Sequence, residues 1–174
     1  ALDRFRLLAA VLVVCIHTGP LASYSAPADF WLSHVFARIA VPFFLMLSGY
    51  FLGRSRWENT GRFLKKALAV YTAAVLLYLP LNLYRGCEPL EWLKKLVTDG
   101  TLYHLWYFPA LLLGVPLARG LSRLGMPAAL AAAGALYLLG LGGDSYYGLA
   151  LRIPGLGAFY DGLFRLFSYP RNGL

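Results

Sequence analysis

Blocks of apolar residues long enough to cross a lipid bilayer recur along this chain, and they constrain its fold more than any other feature. A membrane-spanning helix needs about 20 mainly apolar residues. Five candidate segments are present, of which the fourth is short for a span, and the stretch from Leu163 is a candidate start of a sixth. The five are Arg4–Leu21, Phe30–Leu52, Phe63–Leu83, His104–Ala118 and Leu124–Leu141. We therefore predict an all-α protein, a polytopic transmembrane helix bundle embedded in the lipid bilayer.

The composition supports this fold class, since 59% of the 174 residues are hydrophobic and only 14% are charged. A soluble domain has about a quarter of its residues charged. The fifth segment is rich in Ala and Gly, which let helices approach closely, so we expect it to pack inside the bundle. The segment Glu88–Val97 has helical apolar spacing with charges opposite, and Pro89 suits a helix start. It predicts a short helix on the membrane surface, with Trp92 at the interface.

The net charge of +8 is explained by topology. The loop at residues 22–29 has no Lys or Arg, whereas the segment Gly53–Lys66 contains five basic residues. Because positive residues are retained on the cytoplasmic side, this alternation predicts a multi-pass protein with a cytoplasmic N-terminus. The basic residues separate apolar blocks instead of following one polar face, which argues against a nucleic-acid partner. The first segment also has the shape of a signal peptide, but the later spans favour a retained first helix.

The sequence predicts no metal site, because Cys15 and Cys87 form no metal-binding or redox spacing. Cys15 lies in an apolar run, where we expect it to be a small packing residue. It is also a poor nucleophile candidate. Two helical positions separate it from His17, so the two side chains point about 200° apart.

Arg6 and His17 are eleven positions apart in the first segment. On an α-helix that spacing brings them to within about 20° of one direction, with a rise of about 16 Å. Ionisable residues inside a membrane usually face the bundle interior or a wet cavity. Arginine suits a phosphate or carboxylate, and a neutral imidazole can take a proton from a hydroxyl. The alternative is that Arg6 is a positive-inside anchor and His17 an interfacial histidine bonded to a carbonyl.

Four further residues are candidates for binding substrate. His34 and Arg38 are four positions apart and would share a helical face near the level of His17. Arg38 could equally extend to the outer headgroups. His104 and Trp106 could line the same outer vestibule, although an interfacial aromatic belt also explains Trp106.

The pair Arg6 and His17, ten residues between them, resembles the signature of the membrane-bound acyltransferase family 3, the O-acyltransferases of bacterial surface polymers. The segment Arg38–Phe51, with Phe-Phe followed by Ser-Gly, is similar to the second helix of that family. Similar segments follow in family order at Arg62–Lys66 and His104–Leu111.

Within the family, the chain resembles in particular the membrane domain of vancomycin-resistance serine racemases. Both have Ala-Val-Pro-Phe-Phe, here Ala40–Phe44, where many members have Val-Asp-Leu-Phe-Phe. Both have a His-Leu-Trp-Tyr segment and an Arg-Asn-Gly step, here Arg171–Gly173. In those racemases the membrane part is thought to handle serine uptake, ahead of a soluble pyridoxal-phosphate domain.

The resemblance implies an approximately ten-helix fold of which residues 1–174 are the N-terminal part, truncated at the C-terminus. It implies acyl-coenzyme A as a cytoplasmic donor substrate, no bound cofactor, and His17 and Arg6 as catalytic residues. We expect an enzyme of the bacterial plasma membrane, an O-acyltransferase that modifies a hydroxyl of a cell-envelope carbohydrate or related acceptor. The alternative is a transport domain for a small amino acid such as serine, and a third possibility is a membrane anchor or sensor.

Overall fold

The computed structural model describes residues 2–84, 86, 88–98, 100–143 and 146–167. Cys87 and Arg171–Gly173, which entered the sequence analysis, lie outside these residues. Every regular element in the described parts of the chain is helical, and they contain no strand. The prediction of an all-α protein is confirmed.

Three helices are long and apolar enough to cross a membrane, namely Ala26–Arg54, His104–Leu124 and Met126–Gly143. The chain is therefore a membrane protein. The first predicted span forms a helix of 17 residues, Leu2–Thr18. The third predicted span is divided between Thr60–Leu77 and Leu79–Tyr84. The count of five spans and the ten-helix fold stay predictions.

The chain divides into two compact units, residues 1–61 and 62–174. The first unit is a hairpin of two antiparallel helices, α1 (Leu2–Thr18) and α2 (Ala26–Arg54). Small residues make their contact close, because Ala9 on α1 and Ala37 and Ala40 on α2 are fully buried. Near the start of α1, the rings of Phe5 and Phe43 meet edge to face with centroids 4.5 Å apart.

Helix α2 is regular only in part. After one α-helical turn, Phe30–Phe36 is a π-helix, in which the Ala37 N–H bonds to the Leu32 carbonyl. A 3₁₀ turn, Ala37–Ile39, follows, and the α-helix resumes at Ala40–Arg54. Pro42 gives a physical reason for the 3₁₀ turn. Proline has no N–H, and its ring displaces the carbonyl four residues earlier, so the backbone ahead of it leaves the α geometry.

Helix α3 (Thr60–Leu77) begins at the end of the first unit and continues into the second. The second unit contains six further helices in the described residues. These are α4 (Leu79–Tyr84), α5 (Pro89–Thr98), α6 (Tyr107–Leu121), α7 (Met126–Gly143), α8 (Tyr147–Ala150) and α9 (Leu156–Phe167). Short 3₁₀ turns, Tyr103–Trp106 and Ser122–Leu124, flank α6. The helix predicted at Glu88–Val97 is therefore present as α5.

The core of the second unit lies where α3, α5 and the beginning of α6 meet. Tyr71, Val75 and Leu105 are buried there, and Trp92 and Leu96 of α5 pack against them. Trp92 thus contacts protein, and its position at a membrane interface stays a prediction.

Helix α7 was predicted to pack inside a bundle because of its Ala and Gly content. That prediction is wrong for the packing that the structure describes, since no residue of Met126–Gly143 is buried. Near its C-terminal end it contacts α9. The Tyr160 hydroxyl donates to the Leu139 carbonyl at 2.9 Å, and the Tyr160 ring lies against Gly142 and Gly143, where a Cβ would leave it no room.

Candidate active site

Arg6 and His17 lie on one unbroken α-helix, α1, so the spacing argument from the sequence applies to the folded chain. Ala9, fully buried, marks the side of α1 that faces α2. An α-helix turns by about 100° per residue, so the Arg6 and His17 side chains are rotated about the helix axis by about 60° and 80° from Ala9, in the same direction. Both side chains therefore flank the contact between α1 and α2.

The Arg6 guanidinium contacts Asp3 and Phe51. Its Nη1 donates to the Asp3 carboxylate at 2.8 Å, in an ion pair whose side chains are 40% and 90% exposed. Its Cζ lies 5.3 Å from the centre of the Phe51 ring, a cation–π distance. A guanidinium has five N–H donors, and one of them is engaged by Asp3. An anion that binds Arg6 would compete with the Asp3 carboxylate, which sequence reasoning missed.

His17 lies in the last turn of α1, and its side chain is exposed. Helix α1 ends by a defined motif immediately after it. Gly19 has a left-handed backbone with φ +53°, and its N–H donates to the Cys15 carbonyl at 3.1 Å. This is the αL ending of a helix, for which glycine is the favoured residue. The sequence located this end correctly, at Gly19-Pro20.

His34 and Arg38 lie in the interrupted part of α2. The prediction that they share a face rests on regular α-helical spacing, which a π-helix followed by a 3₁₀ turn does not provide. Both side chains are exposed. The His34 ring stacks on Phe30 with centroids 5.3 Å apart and an interplanar angle of 10°. A role for either residue in substrate binding stays a prediction.

His104 and Trp106 belong to the second unit, in the 3₁₀ turn that precedes α6. The His104 ring meets Tyr78, which lies between α3 and α4, edge to face with centroids 5.3 Å apart. The Trp106 side chain is 42% exposed. Their assignment to a substrate vestibule also stays a prediction.

Two buried polar residues that sequence reasoning missed connect α2 to the end of α1. The Asp29 carboxylate Oδ1 accepts a hydrogen bond from the Leu21 N–H at 3.0 Å. The Ser33 hydroxyl donates to the Cys15 carbonyl at 3.1 Å. A signal for Asp29 was available, because it is the only charged residue between Arg6 and Arg38 apart from histidines.

Asn82 is a third missed polar residue, in the second unit. It is 4% exposed, and its Nδ2 has no hydrogen-bond partner among the residues that the structure describes. A buried amide without a partner is destabilising.

Within the described residues, no group of three or more His, Cys, Asp or Glu side chains could hold a metal ion. The arrangement on α1 and α2 instead offers an exposed imidazole near one end of a helix and a guanidinium near the other. Such groups can accept a proton and bind an anion, respectively.

The sequence profile of a protein family described as an acyltransferase domain matches residues 1–170. Among curated proteins, two amino-acid racemases of Enterococcus faecalis are 44% and 40% identical to the chain, each over 99% of its length. A serine/alanine racemase of Enterococcus gallinarum is 38% identical, also over 99%. The chain spans only 26% to 27% of the length of these relatives. No solved structure matches.

Proposed function

This chain belongs to the acyltransferase domain family, and on that premise we propose that it is an integral membrane O-acyltransferase. It would transfer an acyl group from acyl-coenzyme A to a hydroxyl of a cell-envelope carbohydrate or a related acceptor. The observation that carries the proposal is the placement of Arg6 and His17 on one face of the unbroken helix α1. The family resemblance noted from the sequence, including the likeness to membrane serine racemases, is confirmed by the matching profile and relatives.

In the proposed reaction, His17 acts as the general base. Its imidazole takes the proton of the acceptor hydroxyl, and the hydroxyl oxygen forms a bond to the thioester carbonyl carbon. The bond between that carbon and sulfur breaks, and the proton passes from His17 to the departing coenzyme A thiolate. No other reactant is needed.

Arg6 binds an anionic group of the donor in this proposal. About 16 Å of helix rise separates it from His17, so it holds a part of the donor distant from the reacting carbon. The basic segment Gly53–Lys66 supports a cytoplasmic position for the Arg6 end of α1, where acyl-coenzyme A would be available. The Phe51 ring beneath the guanidinium leaves its N–H groups able to donate to an anion.

A second function is favoured by the names of the relatives. Because all three are racemases of amino acids, the chain could instead form a transport domain for a small amino acid such as serine. Arg6 would then bind the amino acid's carboxylate, and His17 would carry a proton. No acyl donor would be consumed.

The deciding experiment uses the full natural chain reconstituted in liposomes. Acyl transfer predicts that labelled acyl-coenzyme A is consumed, that the His17→Ala variant abolishes consumption and that the Arg6→Ala variant weakens it. Matched controls are Thr18→Ala, beside His17, and Arg4→Ala, which points about 200° away from Arg6; both should keep activity. Full turnover in His17→Ala would overturn the assignment. Accumulation of labelled serine without loss of acyl donor would establish the transport function.

A further inference from the structure

The backbone on both sides of His17 is bonded to two buried side chains of α2. We infer that Asp29 and Ser33 are positioning residues, which hold the last turn of α1 and thereby fix the place of His17. This inference rests on the proposed function of His17 as the reacting base. Neither residue needs to touch substrate.

Asp29 fixes the chain just after His17. Its side chain is buried, with the residue 9% exposed, and Oδ1 accepts the hydrogen bond of the Leu21 N–H at 3.0 Å. Leu21 follows the end of α1, so its N–H has no partner within the helix, and a buried N–H without a partner is costly. The carboxylate supplies that partner by a charge-assisted bond, which is stronger than a neutral one.

The same carboxylate lies directly against the residue that ends α1. A Cβ placed on Gly19 would be 3.3 Å from Asp29 Oδ2, tighter than ordinary contact. The glycine thus serves two purposes, since it adopts a left-handed backbone with φ +53° and leaves room for the carboxylate.

Ser33 fixes the chain just before His17. It is 2% exposed, and its hydroxyl donates to the Cys15 carbonyl at 3.1 Å. That carbonyl also accepts the Gly19 N–H at 3.1 Å, so α2 bonds to the same atom that closes the helix. The two contacts therefore lie two residues before His17 and four residues after it.

The rest of the hairpin does not depend on these two bonds. Ala9, Ala37 and Ala40 are buried between α1 and α2, and Phe5 packs on Phe43 near the other end. Loss of the Asp29 carboxylate should therefore change the end of α1 while the helices stay paired. A local displacement of a catalytic group of about 1 Å is enough to lower a rate by about a hundredfold.

The test compares Asp29→Ala, Asp29→Asn and Ser33→Ala in the full natural chain reconstituted in nanodiscs. One readout is the rate at which diethylpyrocarbonate modifies His17, followed by mass spectrometry, with His104 as the internal reference. A second readout is kcat and KM for acyl-coenzyme A. Ser25→Ala is the matched control, because the Ser25 side chain caps the same segment of α2 by accepting from the Ala28 N–H at 3.4 Å, and the backbone bonds of Ser25 to Leu21 and Asp29 remain after the substitution.

We expect Asp29→Ala to change the modification rate of His17 severalfold and to lower kcat by about ten- to a hundredfold, with KM for acyl-coenzyme A nearly unchanged. Ser33→Ala should act in the same direction. Asp29→Asn keeps an oxygen that accepts from Leu21, so it should restore most of both readouts, and Ser25→Ala should change neither.

An unchanged His17 rate in Asp29→Ala, or an equal change at His104, would overturn the inference. If the His17 rate responds as expected but no variant or parent protein consumes acyl-coenzyme A, the proposed acyl transfer fails and the positioning role stands.

Discussion

The hydroxyl of Tyr71 donates a hydrogen bond to the backbone carbonyl of Leu96, with 2.6 Å between the two oxygens. Tyr71 is 4% exposed and its ring stacks on Phe108 with centroids 5.6 Å apart. One side chain of α3 therefore contacts both α5 and α6. A buried hydrogen bond therefore holds the amphipathic helix α5 against α3, in addition to any contact that α5 makes with lipid.

Replacing Tyr71 with Phe should test that contact alone. Tyr71→Phe removes the hydroxyl but keeps the ring stack, and loss of one such hydrogen bond costs about 1 kcal/mol. We expect a lower Tm for the protein in detergent. The matched control is Tyr137→Phe on α7, where the side chain is 67% exposed, and its Tm should not change. Equal shifts in the two variants would contradict the prediction.

The glycine between α5 and the 3₁₀ turn Tyr103–Trp106 should tolerate no side chain. Gly100 has φ +77°, and a Cβ there would lie 2.7 Å from the Leu105 carbonyl carbon. Because both the left-handed backbone and the clash oppose a side chain, Gly100→Ala should destabilise the protein by about 1–3 kcal/mol. Gly114→Ala, inside α6 with no atom within 4 Å of its Cβ position, should instead stabilise it by about 0.5–1 kcal/mol. Thermal unfolding of both variants measures these changes in stability. Similar Tm values for the two variants would contradict the prediction.

The ion pair between Asp3 and Arg6 should weaken donor binding. Asp3→Asn removes the carboxylate that engages Arg6 Nη1 at 2.8 Å, which leaves the guanidinium available to an anionic donor. We expect a severalfold lower KM for acyl-coenzyme A with little change in Tm, since exposed ion pairs contribute little to stability. In the Arg6→Ala background, Asp3→Asn should have no further effect on KM. An equal effect in both backgrounds would show that Asp3 acts independently of Arg6.

The sequence predicted the helices well because apolar blocks and helix-ending residues act locally. The end of α1 at Gly19-Pro20 was predicted correctly, since glycine and proline are local signals that end a helix. The helix Pro89–Thr98 was likewise predicted from proline at its start and apolar spacing. The aligned placement of Arg6 and His17 needed only an unbroken α-helix, which α1 is.

Long-range contacts were beyond prediction, since hydrophobic periodicity does not reveal which polar atoms meet. Asp29 and Ser33 bond to Leu21 and Cys15, residues 8 and 18 positions earlier. The buried amide of Asn82 is also invisible to periodicity, because an asparagine in an apolar segment reveals nothing about its partners. For α7, Ala and Gly content predicted an interior position, although composition does not specify which helix covers it.

The interruption of α2 was visible in the sequence only as Pro42, and its removal should restore a regular helix. Pro42→Ala supplies an N–H that can bond to the Arg38 carbonyl, so the 3₁₀ turn Ala37–Ile39 should convert to α-helix. Hydrogen exchange followed by mass spectrometry should show greater protection across residues 37–42. The angle about the helix axis between the His34 and Arg38 side chains would then change. We therefore expect a changed KM for the acceptor and an unchanged KM for acyl-coenzyme A.

Pro116→Ala provides the control, since Pro116 also lies inside a helix, α6, but in the second unit. Pro116→Ala should increase the protection of backbone amides from hydrogen exchange around residue 116 and leave the exchange of residues 37–42 unchanged. If Pro42→Ala left the exchange of residues 37–42 unchanged, the π-helix and the 3₁₀ turn would be intrinsic to Phe30–Ile39. The presence of Pro42 in place of the leucine of many family members would then not account for the orientation of His34 and Arg38.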